Sequence, residues 1–162
     1  MISTRAFTSG AVTVALLLST VVTSVAARAD TLQEIKAEMA TVETALMGGA
    51  SPAKVAELLY APDVVMVGEG EAGVTRGMKS AVQALEEHWA GLGPDGQKHC
   101  KLTLTGEQAV ASATTYAAFL VLHCKPNPPA TKEAMDFRTV YVWKKLPQGW
   151  RVAIEMWGVG KI

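Results

Sequence analysis

The residues from 133 to 157 constrain the fold of this chain more than any other stretch. They read EAMDFRTVYVWKKLPQGWRVAIEMW, and two long alternating segments flank the turn at residues 146–149. Alternation of this kind around a Pro- and Gly-containing turn predicts an antiparallel β-hairpin.

The alternation also predicts two distinct faces for this hairpin. If Lys145 lies opposite Trp150, Val140 lies opposite Glu155, and successive side chains point to opposite faces. One face is then apolar without interruption: Met135, Phe137, Tyr141, Trp143, Trp150, Val152, Ile154 and Met156. The other carries charges among apolar residues: Asp136, Arg138, Val140, Val142, Arg151, Ala153, Glu155 and Trp157. The mixed face is the one expected to line a pocket.

The first 29 residues predict a secretory signal peptide. Arg5 precedes an apolar run over residues 11–22, and residues 25–29 end in an Ala-x-Ala cleavage site. The alternative is a membrane anchor, but serines and threonines interrupt the run, which is shorter than the ~20 apolar residues that a span needs. We therefore expect residues 30–162 to form one exported domain, periplasmic or extracellular, that begins at Asp30.

The charge of this domain limits its partners. Removing Arg5 and Arg28 from the 15 basic residues leaves 13 against 15 acidic residues, a net charge of −2 with histidine neutral. A nucleic-acid-binding domain needs a basic patch, and electrostatic attachment to a membrane surface needs basic clusters. We expect neither nucleic acid nor, after cleavage of the leader, a membrane as a partner.

The rest of the sequence predicts helices first and strands afterwards. The predicted segments are a helix from the capping box at 31–34 to the glycines at 48–49, a helix from Ser51-Pro52, a strand at 64–67 with a partner near Val74, a helix at 77–90, and strands at 101–105 and 109–123 joined at 106–108. With the closing hairpin, this order predicts an α+β fold, in which helices cover one face of a curved antiparallel sheet.

Five short motifs in this order resemble the nuclear transport factor 2-like superfamily, in particular its SnoaL-like and ketosteroid-isomerase-like secreted members. They lie at residues 58–65, 76–82, 106–111, 138–139 and 149–152. The resemblance implies a cone-shaped, cystatin-like α+β roll, in which three N-terminal helices close the concave face of the sheet over an apolar pocket.

The resemblance also implies which residues face this pocket. It places Arg138, Val140, Ala153, Glu155 and Trp157 inside. It leaves the Tyr141, Trp143 and Trp150 face outside, where superfamily members often form dimers, and we expect a homodimer there because a monomer rarely exposes so large an apolar patch. Further candidate pocket walls, each equally compatible with an ordinary core position, are Tyr60, Met66, Trp89 and Tyr116.

The chain departs from the catalytic pattern of ketosteroid isomerase. That enzyme holds an oxyanion with a tyrosine and a protonated aspartic acid while a second aspartate moves the proton. The corresponding positions here are Val42, Val140 and Gly68, so the resemblance does not carry that chemistry over. The SnoaL-like members often have Asp-His in the last strand where this chain has Glu155-Met156, so the carboxylate is kept and the imidazole is not.

Two carboxylates remain as candidate catalytic groups. Glu155 on the mixed face is a candidate general base if apolar walls raise its pKa, or a buried ion-pair partner of Arg138 if the two lie side by side. Glu69, in a Gly-rich turn after the first strand, is either a second acid-base group or a solvated surface residue.

The two cysteines allow three interpretations. Cys100 and Cys124 each follow a histidine, but the spacing of His99 and His123 fits no compact zinc pattern, so we expect no metal. An exported setting favours a disulfide. The predicted turn at 106–107 opposes it, because it places Cys124 about 30 Å along its strand from the partner of Cys100, at ~3.3 Å per residue. The predicted register therefore disfavours a disulfide, and the sequence leaves open whether the two cysteines are free or oxidised.

Two functional hypotheses follow. The first is an exported protein that binds a small apolar or amphipathic molecule in a pocket with a few polar groups. The second is a cofactor-free isomerase, dehydratase or hydrolase that uses Glu155 or Glu69. Neither hypothesis requires a cofactor, and no nucleophile, phosphate-binding or dinucleotide motif is present in the sequence.

Overall fold

The computed structural model describes residues 12–69, 73–104, 110–125 and 135–160. Its elements, in order, are α1 (Val12–Met47), α2 (Pro52–Leu59), β1 (Tyr60–Gly68), β2 (Thr75–Arg76), α3 (Gly77–Leu92), a short 3-10 helix (Gly96–His99), β3 (Cys100–Leu104), β4 (Val110–Ala111), β5 (Thr115–Cys124), β6 (Met135–Leu146) and β7 (Gly149–Val159). None of the helices in these ranges is both long enough and apolar enough to cross a membrane. The order of elements confirms the predicted α+β class.

The junction between α1 and α2 forms where the sequence predicts it. Gly49 has a positive φ of 73°, and the N–H of Ala50 donates to the carbonyl of Ala45 at 2.9 Å, which is a Schellman termination. The hydroxyl of Ser51 then accepts from the N–H of Lys54 at 3.3 Å and caps α2.

The start of α1 differs from the prediction. Thr31 lies buried inside a continuous helix and not at its N-terminus, because the residues before it are helical as well. A capping role for Thr31 would apply only after cleavage at Ala29, so the start of the mature chain at Asp30 stays a prediction.

The strands form one sheet in the order β2-β1-β7-β6-β5-β3, and β4 pairs with β5 beside β3. Every pair is antiparallel except β1 and β7, which are parallel. Apolar residues of all three helices pack in one core with residues of this sheet. The predicted cover of helices over one sheet face is therefore confirmed.

A β-bulge in β7 changes the predicted register of the closing hairpin. Trp143 pairs with Val152 as predicted, but the next pair is Val142 with Ile154, and Ala153 is left as the extra residue. Every pair beyond the bulge is shifted by one residue, which rotates the remaining side chains of β7 to the other face of the sheet.

On β6, and on β7 up to the bulge, the two faces of the hairpin are exchanged relative to the prediction. Tyr141, Trp143 and Trp150 are 4%, 1% and 2% exposed and belong to the core under the helices, so placing them on the outer face was wrong. The helices cover the face with the larger uninterrupted apolar area, because its burial releases more free energy than burial of the mixed face.

The cysteines form a disulfide, which corrects the predicted register that disfavoured one. Cys100 lies directly opposite Cys124 between β3 and β5, and their sulfurs are bonded at 2.04 Å. The turn into β5 lies at Ser112, whose hydroxyl accepts from the N–H of Thr115 at 3.0 Å. The predicted turn at 106–107 lies outside the described residues. The later turn moves β5 along β3 and brings the cysteines together.

Candidate functional site

A cavity of about 290 Å³ lies between the helices and the covered face of the sheet. All three helices contribute to its wall, and strands β1, β3, β5, β6 and β7 form its floor. The residues that line it are Val42, Leu46, Val55, Leu59, Tyr60, Met66, Ala84, Leu85, Glu87, His88, Trp89, Cys100, Leu102, Leu122, Phe137, Thr139, Tyr141, Glu155 and Trp157. The wall is mostly apolar, with a few polar groups, as is typical of a small-molecule site.

A carboxylate and two tyrosines form the polar part of this cavity. The hydroxyl of Tyr60, at the start of β1, donates to Oε2 of Glu155 at 2.6 Å. Tyr141 lies opposite Glu155 in the sheet, and its hydroxyl has hydrogen bonds with both Tyr60 and Glu155. The three side chains, each buried, are one hydrogen-bonded cluster that we call the tyrosine–carboxylate cluster.

The hydroxyls of this cluster stay protonated at physiological pH. Burial raises the pKa of Tyr60 and of Tyr141 well above 10, and the negative charge of Glu155 raises both further. The two hydroxyls are therefore permanent hydrogen-bond donors, and the carboxylate that they contact is held in place from two sides.

These shifts predict a loss of stability in alkali. A tyrosine whose pKa is higher in the folded state than in the unfolded state stabilises the fold. Its contribution to the unfolding free energy is fully present below the unfolded-state pKa of about 10 and decreases as the pH rises above that value. We expect the wild type to lose more unfolding free energy between pH 8 and pH 10.5 than Tyr141→Phe, although the variant is the less stable of the two at pH 8. Urea unfolding at both pH values measures this, and equal losses for the two proteins would contradict it.

Aromatic side chains continue the wall away from the cluster. Thr139 faces Trp157 across β6 and β7, and the rings of Phe137 and Trp157 meet edge to face with centroids 5.9 Å apart. Beyond Phe137 lies His88 of α3, with a ring centroid distance of 5.1 Å, and Nε2 of His88 is 3.8 Å from Sγ of Cys124. The disulfide thus marks the end of the cavity opposite the tyrosine–carboxylate cluster.

Five of the predicted pocket residues line the cavity. Tyr60, Met66 and Trp89 do so as candidate walls, and Glu155 and Trp157 do so because the bulge rotates them to the covered face. Their functional roles stay predictions.

The other predicted pocket residues lie elsewhere. Tyr116 is buried in the core beside Trp143, with ring centroids 5.5 Å apart, and Ala153 is the extra residue of the bulge. Arg138 and Val140 line a separate shallow groove on the outer face of the sheet. The assignment of Arg138 and Val140 to the pocket was wrong because it turned the mixed face of β6 toward the helices, and in the structure the helices cover the opposite face of β6.

Glu69 also lies outside the cavity, in that outer groove. Its Oε2 is 3.7 Å from Nη2 of Arg138 and accepts from the N–H of Val159 at 2.8 Å. Gly158 leaves space for this contact, because a Cβ there would lie 2.6 Å from the Glu69 carboxylate. The expected partner of Arg138 was Glu155, and in the structure Arg138 is instead partnered with Glu69.

His88, Cys100 and Cys124 place three potential metal-ligand atoms within 4.8 Å of one another. Both sulfurs are committed to the disulfide, so the cluster as it stands offers a metal one imidazole. The histidine of this cluster is His88, whereas the sequence pattern drew attention to His99 and His123. In the structure His123 instead contacts Asp136.

Sequence reasoning missed Tyr141, Phe137, Thr139 and His88 as cavity residues. For Tyr141 and Phe137 a signal was present, because both belong to the uninterrupted apolar face that a covered sheet normally turns inward. His88 follows Leu85 by three residues on α3, which is the spacing of one helix face.

Comparison with protein-family models and with curated protein sequences returned no significant match. Many solved structures match the fold. An NTF2-like protein with a cystatin-like fold from Novosphingobium aromaticivorans has a TM-score of 0.60 at 17% identity, over 85% of this chain and 88% of that one. A ketosteroid isomerase-like protein from Erwinia carotovora atroseptica has a TM-score of 0.57 at 13% identity, over 81% of this chain and 97% of that one. An NTF-2 like protein of unknown function from Shewanella oneidensis has a TM-score of 0.60 at 12% identity, over 78% of this chain and 98% of that one.

The helices, the curved sheet and the covered cavity define an α+β roll of the cystatin-like kind. More specifically, the chain has the NTF2-like fold, as the resemblance implied. At these identities the likeness concerns the fold alone.

Proposed function

We propose that this protein binds a small apolar or amphipathic molecule in the cavity. The observation that carries the proposal is the division of the wall: apolar side chains from three helices enclose the space, and polar groups converge at the tyrosine–carboxylate cluster. Such a wall holds an apolar body by burial and orients one polar end by hydrogen bonds.

We further propose that the protein works outside the cytoplasm. The leader at residues 1–29 motivates this location, and the Cys100–Cys124 disulfide is compatible with it, because disulfides persist in oxidising compartments.

A cavity-filling variant tests the binding proposal. Ala84 lines the cavity, so Ala84→Trp should remove binding of the neutral fluorescent probe N-phenyl-1-naphthylamine. Ala40→Trp adds the same side chain on the exposed surface of α1 and is the matched control, which should bind like the wild type. Equal binding by all three proteins would place the probe elsewhere and refute the proposal.

The second candidate function is a cofactor-free enzyme that moves a proton with Glu155. The observation that favours it is the pair of tyrosine hydroxyls on one cavity carboxylate, since acid-base catalysis needs such groups within hydrogen-bond reach of a substrate. Glu69 is not proposed for this role, because it lies outside the cavity.

Glu155→Gln separates the two candidates, because it keeps the shape of the side chain and removes its charge. A binding protein should fold and bind the neutral probe within about threefold of the wild type, since its affinity for that probe comes from apolar burial. An enzyme that uses Glu155 as base should lose turnover of the molecule recovered from the cavity by at least ~100-fold. Native mass spectrometry of the purified protein identifies that molecule, and an unchanged turnover would refute the enzymatic candidate.

We also propose a homodimer through the outer face of the sheet. Val67, Met156, Val140 and Phe119 pair in one row across β1, β7, β6 and β5. Met156 and Phe119 are 45% and 49% exposed, and Ile154 beside them is 38% exposed. A patch of this kind marks an interaction surface, and a second copy of this sheet would cover it with an equally apolar surface.

A charge placed in this row should dissociate the dimer. Met156→Glu is expected to give a monomer by light scattering at tens of micromolar, because it places a carboxylate in the contact. Met47→Glu, at the exposed end of α1, should remain a dimer. A monomeric wild type at that concentration would rule out the proposed dimer.

A further inference from the structure

The charge of the cavity limits what can bind there. Among its described lining residues, the formal charges belong to Glu155 at the cluster and Glu87 toward α3, while His88 is titratable and neither lysine nor arginine lines the space. Glu155 is 8% exposed and has hydrogen bonds with the hydroxyls of Tyr60 and Tyr141. A second anion brought into this space would lie near the carboxylate of Glu155, and like charges repel each other.

The hydrogen bonds at the tyrosine–carboxylate cluster also disfavour an anionic ligand. The hydroxyl of Tyr60 donates its proton to Glu155, and that of Tyr141 belongs to the same network. An anionic ligand needs donors, and these donors are already engaged. The lone pairs of the carboxylate and of the hydroxyl oxygens are acceptors, which suit a ligand group that donates or carries a positive charge.

The aromatic surfaces beside the carboxylate add to this preference. Trp157 follows Glu155 by two residues on the same face of β7, and the Tyr141 ring lies directly opposite on β6. A cation held near a carboxylate and within about 6 Å of aromatic faces gains cation–π attraction that a neutral group does not.

We propose that the molecule held in this cavity is a cationic amphiphile, with a protonated amine or quaternary ammonium group at the tyrosine–carboxylate cluster. Its apolar body lies toward Phe137 and the disulfide. Tyr141 and Phe137 are four residues apart on β6, so this body spans about 13 Å at ~3.3 Å per residue. This assignment rests on the proposed binding function and names its ligand class.

Three probes of equal chain length test the charge preference: octyltrimethylammonium, 1-octanol and octanoate. Binding is followed by tryptophan fluorescence, since Trp89 and Trp157 line the cavity, at pH 8, where an ordinary histidine is neutral. The expected order is ammonium first, tighter than octanol by at least ~10-fold, and octanoate last. Octanoate or octanol binding as tightly as the ammonium probe would overturn the proposal.

Variants test whether the preference for the ammonium probe depends on the tyrosine–carboxylate cluster. Glu155→Gln should reduce the ammonium-to-octanol affinity ratio by about 10-fold, whereas Glu86→Gln removes an exposed charge one helix position from Glu87 and should leave the ratio unchanged. If Glu155→Gln does not fold, Trp157→Leu keeps the carboxylate and should still lower the ratio, by about threefold. A ratio that no cavity variant changes refutes the assignment.

The outcomes also separate this proposal from the binding function on which it rests. Tight binding of octanol without a preference for the ammonium probe keeps the binding function and refutes the charge assignment. Failure of all three probes to bind refutes the charge assignment, and if N-phenyl-1-naphthylamine also fails to bind, the binding function is refuted as well.

Discussion

Replacing Trp143 with glutamate should unfold the protein. The side chain is 1% exposed and packs against the rings of Tyr116 and Tyr141, with centroids 5.5 and 5.3 Å away. Removing a buried aromatic residue costs about 3–5 kcal/mol, and burying an unpaired carboxylate adds several more. The sum is comparable to the whole stability of a typical domain, about 5–15 kcal/mol.

Circular dichroism and urea unfolding measure this effect, and the variant should have no cooperative transition. Met156→Glu introduces the same charge on the outer face of the neighbouring strand, where the side chain is 45% exposed, and should remain folded. If Trp143→Glu has wild-type stability, Trp143 lies on the outer face of the sheet. That result would contradict the location of the cavity on the Trp143 face.

Removing the disulfide should cost about 3 kcal/mol of unfolding free energy. Cys100 and Cys124 are 24 residues apart in sequence, and closing a loop of this length removes roughly that much chain entropy from the unfolded state. Urea unfolding of the oxidised wild type and of the double variant Cys100→Ser/Cys124→Ser measures the difference in unfolding free energy. Because both strands remain paired through neighbouring residues, the variant should fold at 25 °C.

Alkylation under denaturing conditions, without reductant, provides the independent check. The oxidised wild type should gain no mass from iodoacetamide, and it should gain two adducts only after reduction. Two adducts before reduction would show free thiols and would support the arrangement expected from the sequence.

Local sequence patterns determined the elements of this protein. The Schellman end at Gly49, the Ser51 cap and the turn at 146–149 depend on residues within a few positions of one another, so their chemistry can be read without knowing the rest of the fold. The order of these elements also predicted the α+β class, because only a few arrangements can cover one face of such a sheet. The NTF2-like fold was implied by the resemblance of the five short motifs to that superfamily.

The candidate site was predicted only in part. Tyr60, Met66 and Trp89, which the sequence offered either as pocket walls or as ordinary core residues, line the cavity, and their roles there stay predictions. Glu155 and Trp157 were also placed there, but by an argument that assigned Tyr141 to the opposite face, and the cluster that joins Tyr141 to Glu155 was therefore missed.

The tertiary structure alone decided what the sequence left open. The bulge at Ala153 adds one residue to β7, and because side chains alternate with a period of two, that single residue exchanges the faces of everything beyond it. The pairing of Cys100 with Cys124 likewise depends on where β5 begins, which is fixed by the turn at Ser112. Alternation within a strand is a local property, whereas its phase relative to the core is set by pairing with strands distant in sequence, and the site of this protein depends on that phase.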